Sequence, residues 1–163
     1  MVRRIIIAAV VIIFNCHVSI VNMINAQGMM GIYTQFSTEC LGVEEDGTQT
    51  LRAWGSGKNK NDAEDQARKN AVRDVIFKGI RDGVEGCNMK PLVNEPNARE
   101  KYEEYFNKFF RDDAKYDDYV SNKDTKRKMK KIEKTDMGVR VAVIVRVNRP
   151  KLKERLRKDG IIK

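Results

Sequence analysis

The 163-residue sequence holds one histidine, His17, and three cysteines, Cys16, Cys40 and Cys87. Where those residues lie decides which chemistry is open to the protein. Residues 1–26 have the layout of a secretory signal: Arg3 and Arg4, an unbroken apolar run over 5–14, and a small residue, Ala26, just before Gln27. Cleavage there removes the histidine. With it go Ser-His-Asp and Cys-His catalysis, histidine bases and histidine metal ligands. The two remaining cysteines cannot build a four-cysteine zinc site. Ser37, Ser56 and Ser121 all lack the Gly-x-Ser-x-Gly setting of a nucleophile elbow. Carboxylates are plentiful, 23 in all, but no pair is singled out by spacing. The reading is a protein that is not an enzyme and needs no cofactor or metal. A carboxylate-based hydrolase is kept as an alternative.

Two other fates of the leader follow from the same residues. Residues 5–24 are long enough to cross a bilayer, but Asn15, His17 and Asn22 interrupt the run, and each polar group is costly in hydrocarbon. Cys16 could carry a lipid, yet Phe14 and Asn15 before it are poor lipobox residues. Membrane attachment therefore requires anchoring through Cys16 or an uncleaved signal. Residues 27–163 are read as a single α+β domain, of a size that folds without metal or disulfide.

Export places Cys40 and Cys87 in an oxidising compartment. One disulfide between them and two buried free thiols both remain open, because spacing does not show proximity.

The formal net charge is +9 at pH 7, and only two of the basic residues belong to the leader. A basic exported protein favours anionic partners: lipid headgroups, acidic polysaccharide or acidic protein. Nucleic acid is set aside because it is scarce outside the cytoplasm. Lys126, Arg127, Lys128, Lys130 and Lys131 form the densest basic run. They are read either as a docking strip or as a solvated edge hairpin whose lysines discourage aggregation. Tyr102, Tyr105, Phe106, Phe109 and Phe110 fall at i, i+3, i+4, i+7 and i+8. That stripe packs a core, or else Tyr102, Phe106 and Phe109 line a pocket for a small ligand or lipid. Gly55-Ser56-Gly57-Lys58 imitates a phosphate loop but lacks its spacing and its Ser or Thr after lysine. A structural turn is the better reading.

The elements that must position these residues are legible from periodicity. Asp46-Gly47 predicts a hairpin between strands at 36–44 and 48–56. A helix follows over 62–81, with Asn61 as N-cap, Glu64 completing a capping box and Gly83 as the stop. Ala63, Ala67, Ala71, Val75 and Gly79 form its inner face; the small residues predict close approach to a sheet. Its other face, including Asp65, Arg68, Lys69 and Arg73, reads as solvated. After a loop over 84–95, Pro96 opens the aromatic helix, about 97–112. Strands follow at 115–120 and 125–134, then a turn at Asp136-Met137-Gly138. Val139, Val141, Val143, Val145 and Val147 alternate through the clearest strand. A last helix starts at Pro150, carries Leu152 and Leu156, and ends at Gly160, with Ile161 and Ile162 folding back. The order is ββααβββα, an α+β pattern: a mostly antiparallel sheet packed by a long alanine-spaced helix, an aromatic helix and a C-terminal helix.

The run Ala53-Trp54-Gly55-Ser56-Gly57, followed by Ala63, Ala67 and Ala71, resembles the 20-kilodalton bacterial surface-lipoprotein family and the related N-terminal domain of the flagellar T-protein. The likeness covers about residues 48–82. It implies a strand ending in Gly-x-Gly, an alanine-spaced helix and a β-meander, in a non-enzymatic envelope protein that serves as an accessory or assembly factor. Gly55, Gly57, Ala63, Ala67 and Ala71 carry over as structural positions only. The chain departs from the family in its poor lipobox and its aromatic helix. Together these readings give an exported protein of the periplasm or cell envelope, outer-membrane associated if lipidated, that binds an envelope protein or another anionic envelope component.

Overall fold

The computed structural model describes residues 37–111, 115–121, 131–136 and 138–163. The leader with Cys16 and His17, the lead-in to residue 36, and Lys126, Arg127, Lys128 and Lys130 lie outside the described residues. The described residues belong to one folded unit, Ser37–Lys163.

The Asp46-Gly47 hairpin forms as its sequence requires. Strand β1 (Glu39–Val43) pairs antiparallel with β2 (Gln49–Gly57). Gly47 supplies φ +81°, and Asp46 Oδ1 accepts from the Thr48 amide at 2.8 Å. Both features belong to tight turns.

Helix α1 (Lys60–Phe77) starts earlier and ends sooner than its periodicity implies. Its N-cap is Asn59, whose side chain accepts from the amides of Asn61 and Asp62. The reciprocal partner is Asp62, at 2.8 Å from Asn59 Nδ2, so Asn61 and Glu64 are not the capping pair. The stop is Gly79 rather than Gly83. Gly79 adopts φ +72°, and its amide returns to the Asp74 carbonyl. The freed carbonyls of Val75 and Ile76 accept from Leu92 and Val93, so a distant loop completes the helix end.

The valine strand is β6 (Gly138–Val147), and it pairs with β2 along its whole length, Gly57 opposite Val139 and Gln49 opposite Val147. Side chains at paired positions share a face. Val141, Val143, Val145 and Val147 therefore join Gly55, Ala53, Leu51 and Gln49 beneath α1. Gly55 and Gly57 explain the intimacy. A β-carbon at Gly55 would run into the backbone of Ala63 and Ala67, and one at Gly57 would come within 2.6 Å of the Ala63 nitrogen. The helix lies directly on the sheet because neither surface carries bulk there. Gly55-Ser56-Gly57 is the packed end of a strand.

The other edge of β6 is shared. Strand β5 (Lys131–Thr135) pairs with its first half, and β4 (Val120–Ser121) with its last two residues. A two-residue strand, β3 (Asp82–Gly83), runs parallel to β1 and closes the far edge. The sheet order is β3-β1-β2-β6-β4, with β5 beside β6. The fold is α+β with a mixed, mostly antiparallel sheet. Cys40 and Cys87 are joined in a disulfide with Cα atoms 5.8 Å apart, pinning the loop after β3 to β1.

Two expectations between the helices are corrected. The aromatic helix is two short pieces, α2 (Ala98–Lys101) and α3 (Glu103–Phe109), broken at Tyr102, whose ψ is +32°. Pro96 does not open α2, because Asn97, in the left-handed region at φ 58°, sits between them as the N-cap. The strand expected at 115–120 is a 3₁₀ turn, η1 (Lys115–Tyr119), that only then enters β4. Tyr116 and Tyr119 are both buried, and the 3₁₀ repeat of three puts them on one side where alternation would split them. Helix α4 (Arg149–Lys158) is capped by the Asn148 side chain, which accepts from the Lys151 amide. Leu152, Leu156 and Ile161 are buried beneath it.

Candidate binding site on the last helix

The aromatic stripe is spent on packing. Phe77 meets Phe106 edge-on at 4.6 Å, Phe106 stacks on Phe110, Phe109 stacks on Tyr119, and Phe110 faces Tyr116. This ladder ties α1, α3 and η1 together. Phe106 and Phe109 are buried, and Tyr102 is half-buried. Among the described residues the three do not line one common cleft. Each lines a different cleft: Phe106 one of about 310 Å³ with Arg73 and Arg99, Phe109 one of about 640 Å³, and Tyr102 one of about 780 Å³.

The polar face of α1 is not simply solvated either. Tyr116 donates to Asp65, Arg68 pairs with Asp117, Lys69 lies 5.5 Å from the Tyr116 ring centre and Arg73 5.1 Å from that of Phe110. Burial and then the bond to Asp65 push the Tyr116 phenol up to about 12. Arg73 is lowered, first by burial and then by the neighbouring Arg99 cation. These charges clamp η1 onto the helix.

Of the basic strip only Lys131 is described. It sits exposed on β5, 3.5 Å from Glu133, with its ammonium 5.5 Å from the Trp54 ring centre. The larger basic feature is α4, whose sequence reads most plainly for its leucines. Its ten residues, Arg-Pro-Lys-Leu-Lys-Glu-Arg-Leu-Arg-Lys, contain six cations and one acid, Glu154. Arg155, Arg157 and Lys158 stand in the last turn, where the helix dipole welcomes cations. Arg149 and Lys151 stand in the first turn, where it opposes them, and no acid is there to compensate. Arg149, Lys153 and Arg157 are spaced four apart, so like charges face each other along one stripe. Helix stability alone does not ask for these residues. Departures from local preference of this kind concentrate at functional sites.

The two flanks of α4 differ. On one, Asp159 Oδ2 accepts from Tyr105 at 2.7 Å and from Arg155 Nε at 2.6 Å. Burial resists ionisation of Asp159, but the two hydrogen bonds outweigh it and hold the carboxyl below its usual range. Tyr105 is raised, first by burial and then by its bond to Asp159. Lys108, Arg111 and Lys115 rim this 640 Å³ cleft. On the other flank, Arg149, Lys153 and Arg157 form the wall of the 780 Å³ groove. Pro91 to Glu95, Lys101 and Tyr102 form the facing wall, and Ile161 and Ile162 its end. Arg149 is held in place by a 2.6 Å bond from Nη2 to the Lys90 carbonyl, and burial lowers its pKa.

Among the described residues no group of three or more His, Cys, Asp or Glu could hold a metal. The carboxylates of Asp65, Asp74, Asp117 and Asp159 are each engaged by a hydroxyl or a cation. No described helix is long and apolar enough to cross a membrane. No family model, curated protein or solved structure matches the chain.

Proposed function

We propose that the protein is an exported cell-envelope module that works by binding, without turnover, and that its partner is an anionic envelope component engaged by the exposed side of α4. The observation carrying this reading is the set of cations that the helix itself disfavours: Arg149 and Lys151 at the positive end of the dipole, and Arg149, Lys153 and Arg157 in a like-charged row. An anionic partner would remove that repulsion. The leader over residues 1–26 supports export, and the likeness of residues 48–82 to the surface-lipoprotein and flagellar T-protein domains supports an accessory or assembly role. The disulfide fits an oxidising compartment.

The test is cross-linking in the native cells after fractionation. The expected product is an envelope-associated complex that dissociates on raising salt to about 0.5 M, where exposed charge pairs are screened. It should be lost when Lys151, Lys153 and Arg157 are changed to Gln. A variant with Lys126, Lys128, Lys130 and Lys131 changed to Ser compares the strip with the helix. Retention in the cytoplasm with residues 1–26 intact, or a complex indifferent to salt and to α4, would overturn the reading.

A further inference from the structure

We infer that the groove between α4 and the 91–95 segment is a docking site for an extended protein segment with acidic residues at alternate positions. The inference rests on the proposed binding role and adds to it a place and an occupant.

Three properties of the groove select that chemistry. The first is charge. Among the described residues, Arg149, Lys153 and Arg157 have no carboxylate side chain as partner. The one acid in the lining, Glu95, is taken by Lys101 at 2.6 Å. The wall is therefore cationic with no acidic side chain paired to it, while Arg157 Nε donates to the Lys163 oxygen at 3.3 Å.

The second is spacing. Residues four apart on a helix are separated by about 6 Å along the axis. Alternate residues of an extended strand are separated by about 6.7 Å. Three acids at i, i+2 and i+4 of an extended segment can therefore meet Arg149, Lys153 and Arg157 in turn.

The third is the opposite wall. Residues i+1 and i+3 of that segment point the other way. Leu92 and Val93 are buried in the core, so the surface offered there is the half-buried Tyr102 with the exposed Asn94, Glu95 and Lys101. The groove therefore reads the acidic positions of the segment. A lipid surface offers a plane, and the groove is concave, with Arg149 tethered at its base to the Lys90 carbonyl.

The experiment uses protein purified from the cells that make it. Its probe is a fluorescein-labelled peptide, Gly-Ser-Glu-Val-Glu-Val-Glu-Ser-Gly, read by fluorescence anisotropy. Saturable binding is expected, and the analogue with Gln for each Glu should bind at least about tenfold more weakly. The double variant Lys153→Gln/Arg157→Gln should show a similar loss. Both side chains are exposed, and unchanged thermal unfolding would confirm that the fold survives. Lys108→Gln/Arg111→Gln, on the other flank of α4, should bind as the parent does.

Equal binding of the Gln peptide, or an unaffected double variant, overturns the inference. Equal weakening by the Lys108/Arg111 variant also overturns the groove, while leaving a diffuse basic surface and the proposed function standing. Sedimentation with phosphatidylglycerol vesicles that depends on Lys153 and Arg157, without peptide binding, replaces the occupant with a lipid headgroup. If the native complex also ignores salt and α4, the binding role falls with the groove.

Discussion

Tyr105 on α3 donates its hydroxyl proton to Asp159, at the C-terminal cap of α4 and 54 residues away, at 2.7 Å. Arg155 reaches the same oxygen at 2.6 Å. This one carboxylate joins the aromatic ladder to the basic helix. Together with the buried Leu152 and Leu156 and the Arg149–Lys90 bond, it holds α4 beside both clefts.

The link has a pH signature. The Asp159 carboxyl titrates below its unfolded value, which is about 3.9. The stabilisation it brings is therefore full above that pH and is lost as pH falls through the lower, folded value. Asp159→Asn should make the acid limb of a stability–pH curve shallower, as read by urea unfolding at several pH values. Tyr105→Phe should cost about 1 kcal/mol at neutral pH. An acid limb identical in parent and Asp159→Asn would show that the carboxyl does not carry the link.

Tyr116, with Tyr105 and Tyr119, shapes the alkaline side. Burial and Asp65 hold its phenol at about 12 in the fold, against about 10 unfolded. Here the sign is opposite. The stabilisation is full below about 10 and is lost as pH rises through the folded value. Phenolate absorbance should show late-titrating tyrosines, Tyr105 among them, and one fewer in Tyr116→Phe. If the titration curve of that variant lacked only an ordinary phenol, Asp65 and burial would not be what clamps η1 on α1.

The disulfide closes a long loop, with a sequence separation of 47. Loop-closure entropy assigns such a link about 4 kcal/mol. Cys87→Ser should lower the urea midpoint accordingly, and reductant should do the same to the parent but not to the variant. A parent midpoint that is the same with and without reductant, while its thiols become alkylated, would remove the bond from the stability of the fold.

Gly55 is a matter of clearance. A β-carbon there meets the backbone of Ala63 and Ala67, which cannot swing aside as a side chain can. Gly55→Val should cost about 3 kcal/mol or more. Gly42 is the control: a β-carbon added there would find nothing within 4 Å, and Gly42→Ala should be close to neutral. Similar losses at both sites would mean that contact with the helix does not set the cost.

How far the sequence reached depends on the range of the interaction. The β1–β2 hairpin, β6 and the leucines of α4 were legible because turn residues and repeats of two or four act within a few positions. The close seat of α1 was legible for the same reason, since its small residues recur on one face. The end of α1 was not, because Gly79 and the amides of Leu92 and Val93, which donate to the Val75 and Ile76 carbonyls, outcompete a helical pattern that continues to Ile80. The 3₁₀ turn at 115–119 was not legible because Asp65 and Arg68, about fifty residues earlier, hold Tyr116 and Asp117. The basic stripe of α4 is visible in the spacing of Arg149, Lys153 and Arg157, but Leu152 and Leu156 draw attention to the buried face instead.

The sequence by itself determined the leader pattern, the absence of histidine after residue 17, the basic charge and the α+β order of the main elements. All of these are local or additive properties. Only the tertiary structure decided that Cys40 meets Cys87, that the aromatic stripe is a packed ladder rather than one pocket, and that α4 and the 91–95 segment enclose a groove. Those depend on which distant segments the sheet brings together. That choice is made by the summed packing of the whole chain, which no local spacing records.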